Sequence, residues 1–484
     1  MTTFIIGLII LIVGGVLYGK VCEKVFCPDN RTTPAISKED GVDYVPMNKW
    51  KNGLIQILNI AGTGPILGPI QGILFGPIAF ITIPIGCIIG GAFHDYMSGM
   101  ISVRSDGQQM PGLVKKFLGE KTYIVYNVFV TLLMILVGAV FIYTPGDLFI
   151  TQVLNQDSSV TNPIVWIVYG GIFVYYLVAT LFPIDKIIGK VYPIFGGILL
   201  LSAVGVFIGI FVSGYQLEEI WQVSVFNYNT SGLNFFPIFF VTVACGIVSG
   251  FHSTQSTMIA RTIKHEKEGR LVFFNMMILE GFIAMTWAAA AMGIFASGVS
   301  TATSSISVVG LIAKDLLGSV GGMIAIIGVI VLPITSGDTA LRSLRLMLAD
   351  TFKIDQTSKK KRLVLSSCIF VVVALLIIWA KFSSDGFNIL WRYFAWSNQT
   401  IAVFTFSIAA VYLMQNKKCP IMALVPGMFY MFVISSYILN ATIGFGLSWT
   451  ISYILGGALT IAYGIVVYLA GKKSVTNSPL ADNL

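Results

Sequence analysis

The chain has 484 residues, of which 56% are apolar and only 11% charged, and its mean hydropathy is +0.85. These values exclude a soluble globular protein and imply a polytopic membrane protein. The formal net charge of +8 does not argue for nucleic acid, because basic residues in such a chain must first be assigned to loops.

Residues 2–19 are almost wholly apolar, with Lys20 and Lys24 after them, and read as a retained N-terminal transmembrane anchor, not a cleaved signal. Cys22 and Cys27 follow, without the spacing of a metal site, and read as a reduced pair. Further spans are predicted at about 53–74, 77–101, 122–143, 163–182, 190–213, 235–259, 271–296, 317–341, 363–381, 389–414, 420–440 and 448–470. This gives about thirteen transmembrane helices. With the N-terminus outside and the C-terminus inside, 27 of the 30 Lys and Arg residues fall in inner loops; only Lys314, Lys381 and Arg392 do not.

The most informative stretch is Asn59-Ile60-Ala61-Gly62-Thr63-Gly64-Pro65-Ile66-Leu67-Gly68-Pro69, inside the first span after the anchor. Two prolines without N–H groups and three glycines predict a helix break at mid-membrane. Irregular backbone at that depth is tolerated only where protein buries it or it lines a polar cavity, and transporters use such breaks as binding sites. A second interruption is predicted at Cys245-Gly246-Ile247-Val248-Ser249-Gly250-Phe251-His252-Ser253. Both breaks open a block of five spans, 53–213 and 235–414, and an odd number of spans gives the two blocks opposite orientation. This is the arrangement of a five-plus-five inverted repeat with two discontinuous helices.

The remaining segments are a cytoplasmic loop (20–52), an outer lid (297–316) within the second repeat, two extra C-terminal helices (420–470) and a tail (471–484) expected to be disordered from Lys472 onward. An all-α membrane fold follows.

Half-helix N-termini at the breaks would aim N–H groups and positive dipole ends at an anionic substrate group such as a carboxylate. Gly62, Thr63, Gly64, Pro65, Gly68, Gly246, Ser249, Gly250, His252 and Ser253 are therefore candidate substrate-binding residues. The competing reading is that the glycines only allow close helix packing. Ionisable residues in spans are expensive and mark ion pathways or buried pairs. His94, Asp95, Glu280 and Asp338 are candidate ion-coupling residues, with Thr335, Ser336 and Thr339 as hydroxyl ligands beside Asp338. Each has a plainer reading: Arg342 at helical spacing pairs Asp338, a core histidine bonds a carbonyl, and membrane hydroxyls bond their own backbone. Asn398 and Gln399 could equally glue helices or face substrate.

The run Asp40-Gly41-Val42-Asp43-Tyr44-Val45-Pro46-Met47-Asn48-Lys49-Trp50, followed by the 60–69 stretch, closely resembles the signature of the carbon starvation protein A family. So do His94-Asp95 with Arg104 and Gly107, residues 243–252, Leu279-Glu280-Gly281, Asp338 with Arg342, and Asn398-Gln399. The resemblance covers about the first 400 residues. It implies a bacterial inner-membrane carrier of the amino acid, polyamine and organocation superfamily that imports peptides or pyruvate under starvation, with proton coupling. The alternatives are a membrane nutrient sensor and a sodium-coupled amino-acid or peptide carrier. An intramembrane enzyme is disfavoured, since no HExxH or GxSxG motif occurs and the histidines are scattered. No cofactor or metal is expected beyond coupling H⁺ or Na⁺. The expected partners are a small-molecule substrate and membrane lipid, with no nucleic acid; the oligomeric state is not legible.

Overall fold

The computed structural model describes residues 1–41, 44–181, 188–224, 228–229, 232–355 and 358–476, with backbone only at 180–181, 188–195, 350 and 359. Among the described residues the chain is helical, with one isolated β-bridge between Met47 and Ile263. The helices are α1 (Thr2–Phe26), α2 (Lys49–Ile60), α3 (Gly64–Phe75), α4 (Ala79–Val103), α5 (Met110–Leu118), α6 (Glu120–Val153), α7 (Pro163–Leu181) and α8 (Ile188–Val212). After them come α9 (Phe235–Thr242), α10 (Gly250–Ile259), α11 (Glu266–Ala296), α12 (Ser305–Thr351), α13 (Lys359–Phe382), α14 (Gly386–Gln415), α15 (Ile421–Asn440) and α16 (Trp449–Thr476).

Nine described helices are long and apolar enough to cross a membrane, and the α2–α3 pair, bent by 51°, makes a tenth crossing. In α7 and α8 the apolar stretches Pro163–Ala179 and Gly196–Val212 are shorter. The second interrupted segment passes through α9, a single turn at Ala244–Ile247 and α10.

Both breaks lie where the sequence predicts them, and the local chemistry explains their form. In the first, α2 ends at Ile60, and Pro65 falls in the first turn of α3, where its missing N–H leaves no bond unmade. Pro69 lies inside α3 instead of marking its start. The second break occurs at Val248 and Ser249, both in extended conformation. Segment 305–317 is a helical arm of α12, separated from the long helix after it by Gly318 at φ 69°. The arm buries Ile306, Val309 and Ile312.

Two segment ends differ from the sequence reading. The first helix continues to Phe26. The last continues to Thr476, so residues 472–476 are ordered helix and not a disordered tail, while 477–484 lie outside the described residues. Lys473 in the final turn opposes the negative end of the helix dipole, and Ser474 Oγ hydrogen-bonds the Gln415 side chain.

Candidate functional site

The glycines of the two breaks pack the broken segments against each other. A methyl built on Gly64 would lie 2.2 Å from Cys245 Cβ, and one on Gly246 would lie 2.9 Å from Ala284 Cβ and 3.6 Å from Pro69. At Gly68 it would meet the Thr242 carbonyl oxygen at 3.0 Å, and at Gly62 the Phe141 ring at 2.8 Å. Close packing thus needs these glycines whatever else they do. Gly64→Ala is expected to destabilise the protein by about 1–3 kcal/mol through forced separation of the breaks, read as a lower melting temperature in detergent.

At the second break part of the expected donor set is already engaged. Asn398 Oδ1 on α14 accepts from Phe251 N–H at 2.8 Å and from Ser249 Oγ at 3.0 Å, while its Nδ2 donates to Cys245 Sγ at 3.3 Å. His252 N–H donates to the Ser249 carbonyl, and Ser253 Oγ to the Gly250 carbonyl at 2.6 Å. Gly250 has no room for a side chain, because its Cβ would stand 2.4 Å from the Asn398 carbonyl oxygen. Gln399 Nε2 donates to the Phe240 carbonyl at 2.6 Å. Asn398 and Gln399 therefore fasten α14 to the broken segment. Asn398→Leu strips the cap from a buried helix start, with an expected cost of about 1–3 kcal/mol, while Asn398→Asp, which keeps the acceptor, should lose less in the same melt.

The first break keeps open valences. Among the described residues neither Thr63 N–H nor Gly64 N–H makes a hydrogen bond. Thr63 Oγ1 is buried without a partner, as are Thr144 Oγ1, one turn beyond Phe141 on α6, and Ser336 Oγ, next to Gly337 on α12. Phe141 is the common neighbour: its ring touches Gly62 and its Cβ lies against Gly337. Pro65 only opens the helix.

The titratable residues separate into two groups. His94 Nδ1 lies 2.8 Å from Asp95 Oδ1, His252 Nδ1 lies 3.0 Å from Asp95 Oδ2, and His252 Nε2 lies 3.5 Å from Glu280 Oε2. The four side chains form one row across α4, α10 and α11, all 0–1% exposed. His94 Nε2 and the Glu280 carboxylate oxygens have no hydrogen-bond partner among the described residues. A π-helical stretch precedes each end of the row, Cys87–Ala92 before His94 and Arg270–Asn275 before Glu280. Such wide turns rotate the residues that follow and are frequent at functional sites.

The second group sits on α12. Asp338 pairs with Arg342 at 3.6 Å, and Arg342 also donates to the Ala179 carbonyl on α7. Thr335 Oγ1 donates to the Leu332 carbonyl and Thr339 Oγ1 to the Ser336 carbonyl, each at 2.8 Å. These two hydroxyls follow the plainer reading, satisfied by their own helix.

Two charged side chains of structural weight, Asp147 and Glu266, were not singled out by their sequence positions. Asp147 accepts from Lys381 Nζ at 2.8 and 2.9 Å and from Tyr169 at 2.6 Å, which explains a lysine outside the basic loops. An aspartate inside the apolar run 122–153 was the available signal. Glu266 is 0% exposed at the basic face, where Arg104 Nε and Nη2 clamp it at 2.9 and 2.8 Å. The same guanidinium donates to the Phe26 and Cys27 carbonyls and to Tyr412 Oη, so all five N–H directions are used. Arg31 adds a contact to Glu266 at 3.5 Å and holds the neighbouring Asp29 carboxyl well below the usual carboxylate range by direct hydrogen bonding. Glu266 opens α11 in a stretch of sequence rich in Lys and Glu, and nothing local marks it as buried.

Residues 1–192, 151–315 and 286–437 match the family model described as Carbon starvation protein CstA. An uncharacterized membrane protein of Haemophilus influenzae is 40% identical over 331 residues, covering 59% of this chain and 89% of its own. The peptide transporter CstA of Escherichia coli is 22% identical over 525 residues, covering 82% of this chain and 74% of its own. The pyruvate/proton symporter BtsT of the same organism is 23% identical over 333 residues, covering 55% of this chain but 45% of its own, so the chain spans about half the length of that relative. Among solved structures, a mutant of the Eremococcus coleocola manganese transporter superposes with a TM-score of 0.58 at 10% identity, covering 88% of this chain and 93% of its own. That likeness shows the fold alone. The chain belongs to the carbon starvation protein CstA family and is a multi-pass membrane transporter.

Proposed function

We propose that the protein is a proton-coupled importer of a small carboxylate nutrient, pyruvate or a short peptide, in the bacterial cell membrane, crossing thirteen times as two inverted five-span repeats. The observation that carries this reading is the buried row His94, Asp95, His252, Glu280. Ionisable groups are retained at membrane depth for ion pathways, and an imidazole bridging two carboxylates can pass a proton from one ring nitrogen to the other. Glu280 is the proton-accepting end. His252, a substrate-binding candidate in the sequence, serves here in coupling.

The open N–H groups of Thr63 and Gly64 and the unpaired hydroxyls of Thr63, Thr144 and Ser336 would take the substrate carboxylate. Because α10 carries His252 and follows directly on the turn Ala244–Ile247, whose Cys245 and Gly246 pack on Gly64 and Pro69 of the first broken segment, a change at either site is felt at the other. The Glu266–Arg104 clamp closes the basic face and must open once per cycle.

The test is uptake of labelled pyruvate into proteoliposomes under an imposed inward proton gradient, competed with unlabelled di- and tripeptides. Gradient-driven accumulation untouched by peptides supports a monocarboxylate symporter, and peptide competition moves the substrate to peptides. Accumulation driven only by a sodium gradient would remove the proton from the reading and favour Ser336 and Thr63 as cation ligands.

A further inference from the structure

We propose that a groove between α6, α14, α15 and α16 holds one acyl chain of an anionic phospholipid, whose phosphate rests on Lys121, Lys472 and Lys473. The groove has a volume of about 450 Å³, and Phe129, Trp396, Phe404 and Ile434 are among its walls. Leu459 and Val466 also line it and are 44% and 64% exposed, so it opens on the lipid-facing surface.

Its chemistry selects hydrocarbon. The hydroxyls along it are already used: Thr122 donates to the Leu118 carbonyl, Thr400 to Trp396, Ser407 to Val403 and Ser435 to Met431. Their protons are spent inside the helices, so these hydroxyls offer no free donor to an anionic group in the groove. Along α16 the lining runs from Leu459 to Ala470, which at ~1.5 Å per residue is roughly 16 Å, about half the ~30 Å hydrocarbon core. The groove is thus one leaflet deep.

Its charged end fixes the headgroup. The α16 lining stripe of Leu459, Tyr463, Val466 and Ala470 continues at helical spacing to Lys473. Lys121 immediately precedes Thr122, another wall residue, and the Gln415–Ser474 hydrogen bond holds the end of α16 beside the end of α14. The side chains of Lys121, Lys472 and Lys473 are exposed and make no hydrogen bond or ion pair among the described residues. By contrast, the nearby Lys115 pairs with Glu120 and Lys116 donates to Ser105. Unpaired lysines at the leaflet boundary attract anionic headgroups, and the groove keeps the chain below them in place.

The test is native mass spectrometry of the purified chain with phosphatidylglycerol and phosphatidylcholine of identical acyl chains. One retained phosphatidylglycerol per chain is expected, at least tenfold preferred. Lys121→Gln, Lys472→Gln and Lys473→Gln combined should remove the preference, and Ala470→Phe, which fills the groove mouth but keeps every lysine, should lose the retained lipid. Equal retention of both lipids, or a preference that survives the triple lysine variant, would overturn the proposal. So would a dimer mass abolished by Ala470→Phe, which would make the groove a contact between two copies of the chain.

Discussion

Glu280→Gln is expected to lower proton-driven uptake at least 100-fold while leaving the melting temperature within a few degrees of the unmodified protein. The amide has the shape of the carboxyl group but cannot carry a proton, and burial makes the original group sensitive to that difference alone. His252 Nε2, at 3.5 Å, keeps a polar neighbour in the variant, so the fold should not suffer. The decisive measurement separates net from exchange transport. Proton-driven accumulation should vanish, while counterflow of labelled against unlabelled substrate persists, because exchange needs no net proton movement. Normal gradient-driven accumulation in Glu280→Gln would remove this residue from coupling and leave the row a structural network. Loss of both modes with a normal melt would place Glu280 in substrate binding instead.

Removing one side of the Arg104–Glu266 clamp should give the largest loss of stability, on the order of 3–5 kcal/mol, because it strands the other charge in a buried setting. Glu266 is 0% exposed, and Arg104 makes five hydrogen bonds, to the end of α1 and the residue after it, to α14 and to the first residue of α11. Glu266→Ala and Arg104→Ala are expected to melt far below the unmodified protein. Arg104→Lys should recover little, since an ammonium cannot reproduce the two-pronged geometry. A double-mutant cycle in thermal unfolding gives the coupling energy directly. Coupling near zero would mean that the pair does not hold the basic face closed, and the part given to it in the transport cycle would fall.

Much of the fold was legible in the sequence because a bilayer imposes strict local rules. A span must satisfy its own backbone, so apolar length locates helices, and proline with glycine inside such a run leaves few outcomes besides a break. The interruptions at Gly62–Thr63 and Val248–Ser249 needed no tertiary information. Nor did the pairing of Asp338 with Arg342, which is fixed by one turn of helix.

The tertiary structure decided what each break faces and which charges meet. Asn398 is 147 residues from Phe251, yet it takes the N–H that the dipole argument reserved for a ligand. Asp95 and His252 are 157 residues apart and join with Glu280 into one row only because α4, α10 and α11 converge. Glu266 reads as a solvated loop charge until Arg104, 162 residues away, closes over it. Local sequence determines where a backbone must bend and which side chains are costly in lipid. Which distant partner offsets that cost depends on how the helices cross, and no local pattern encodes it.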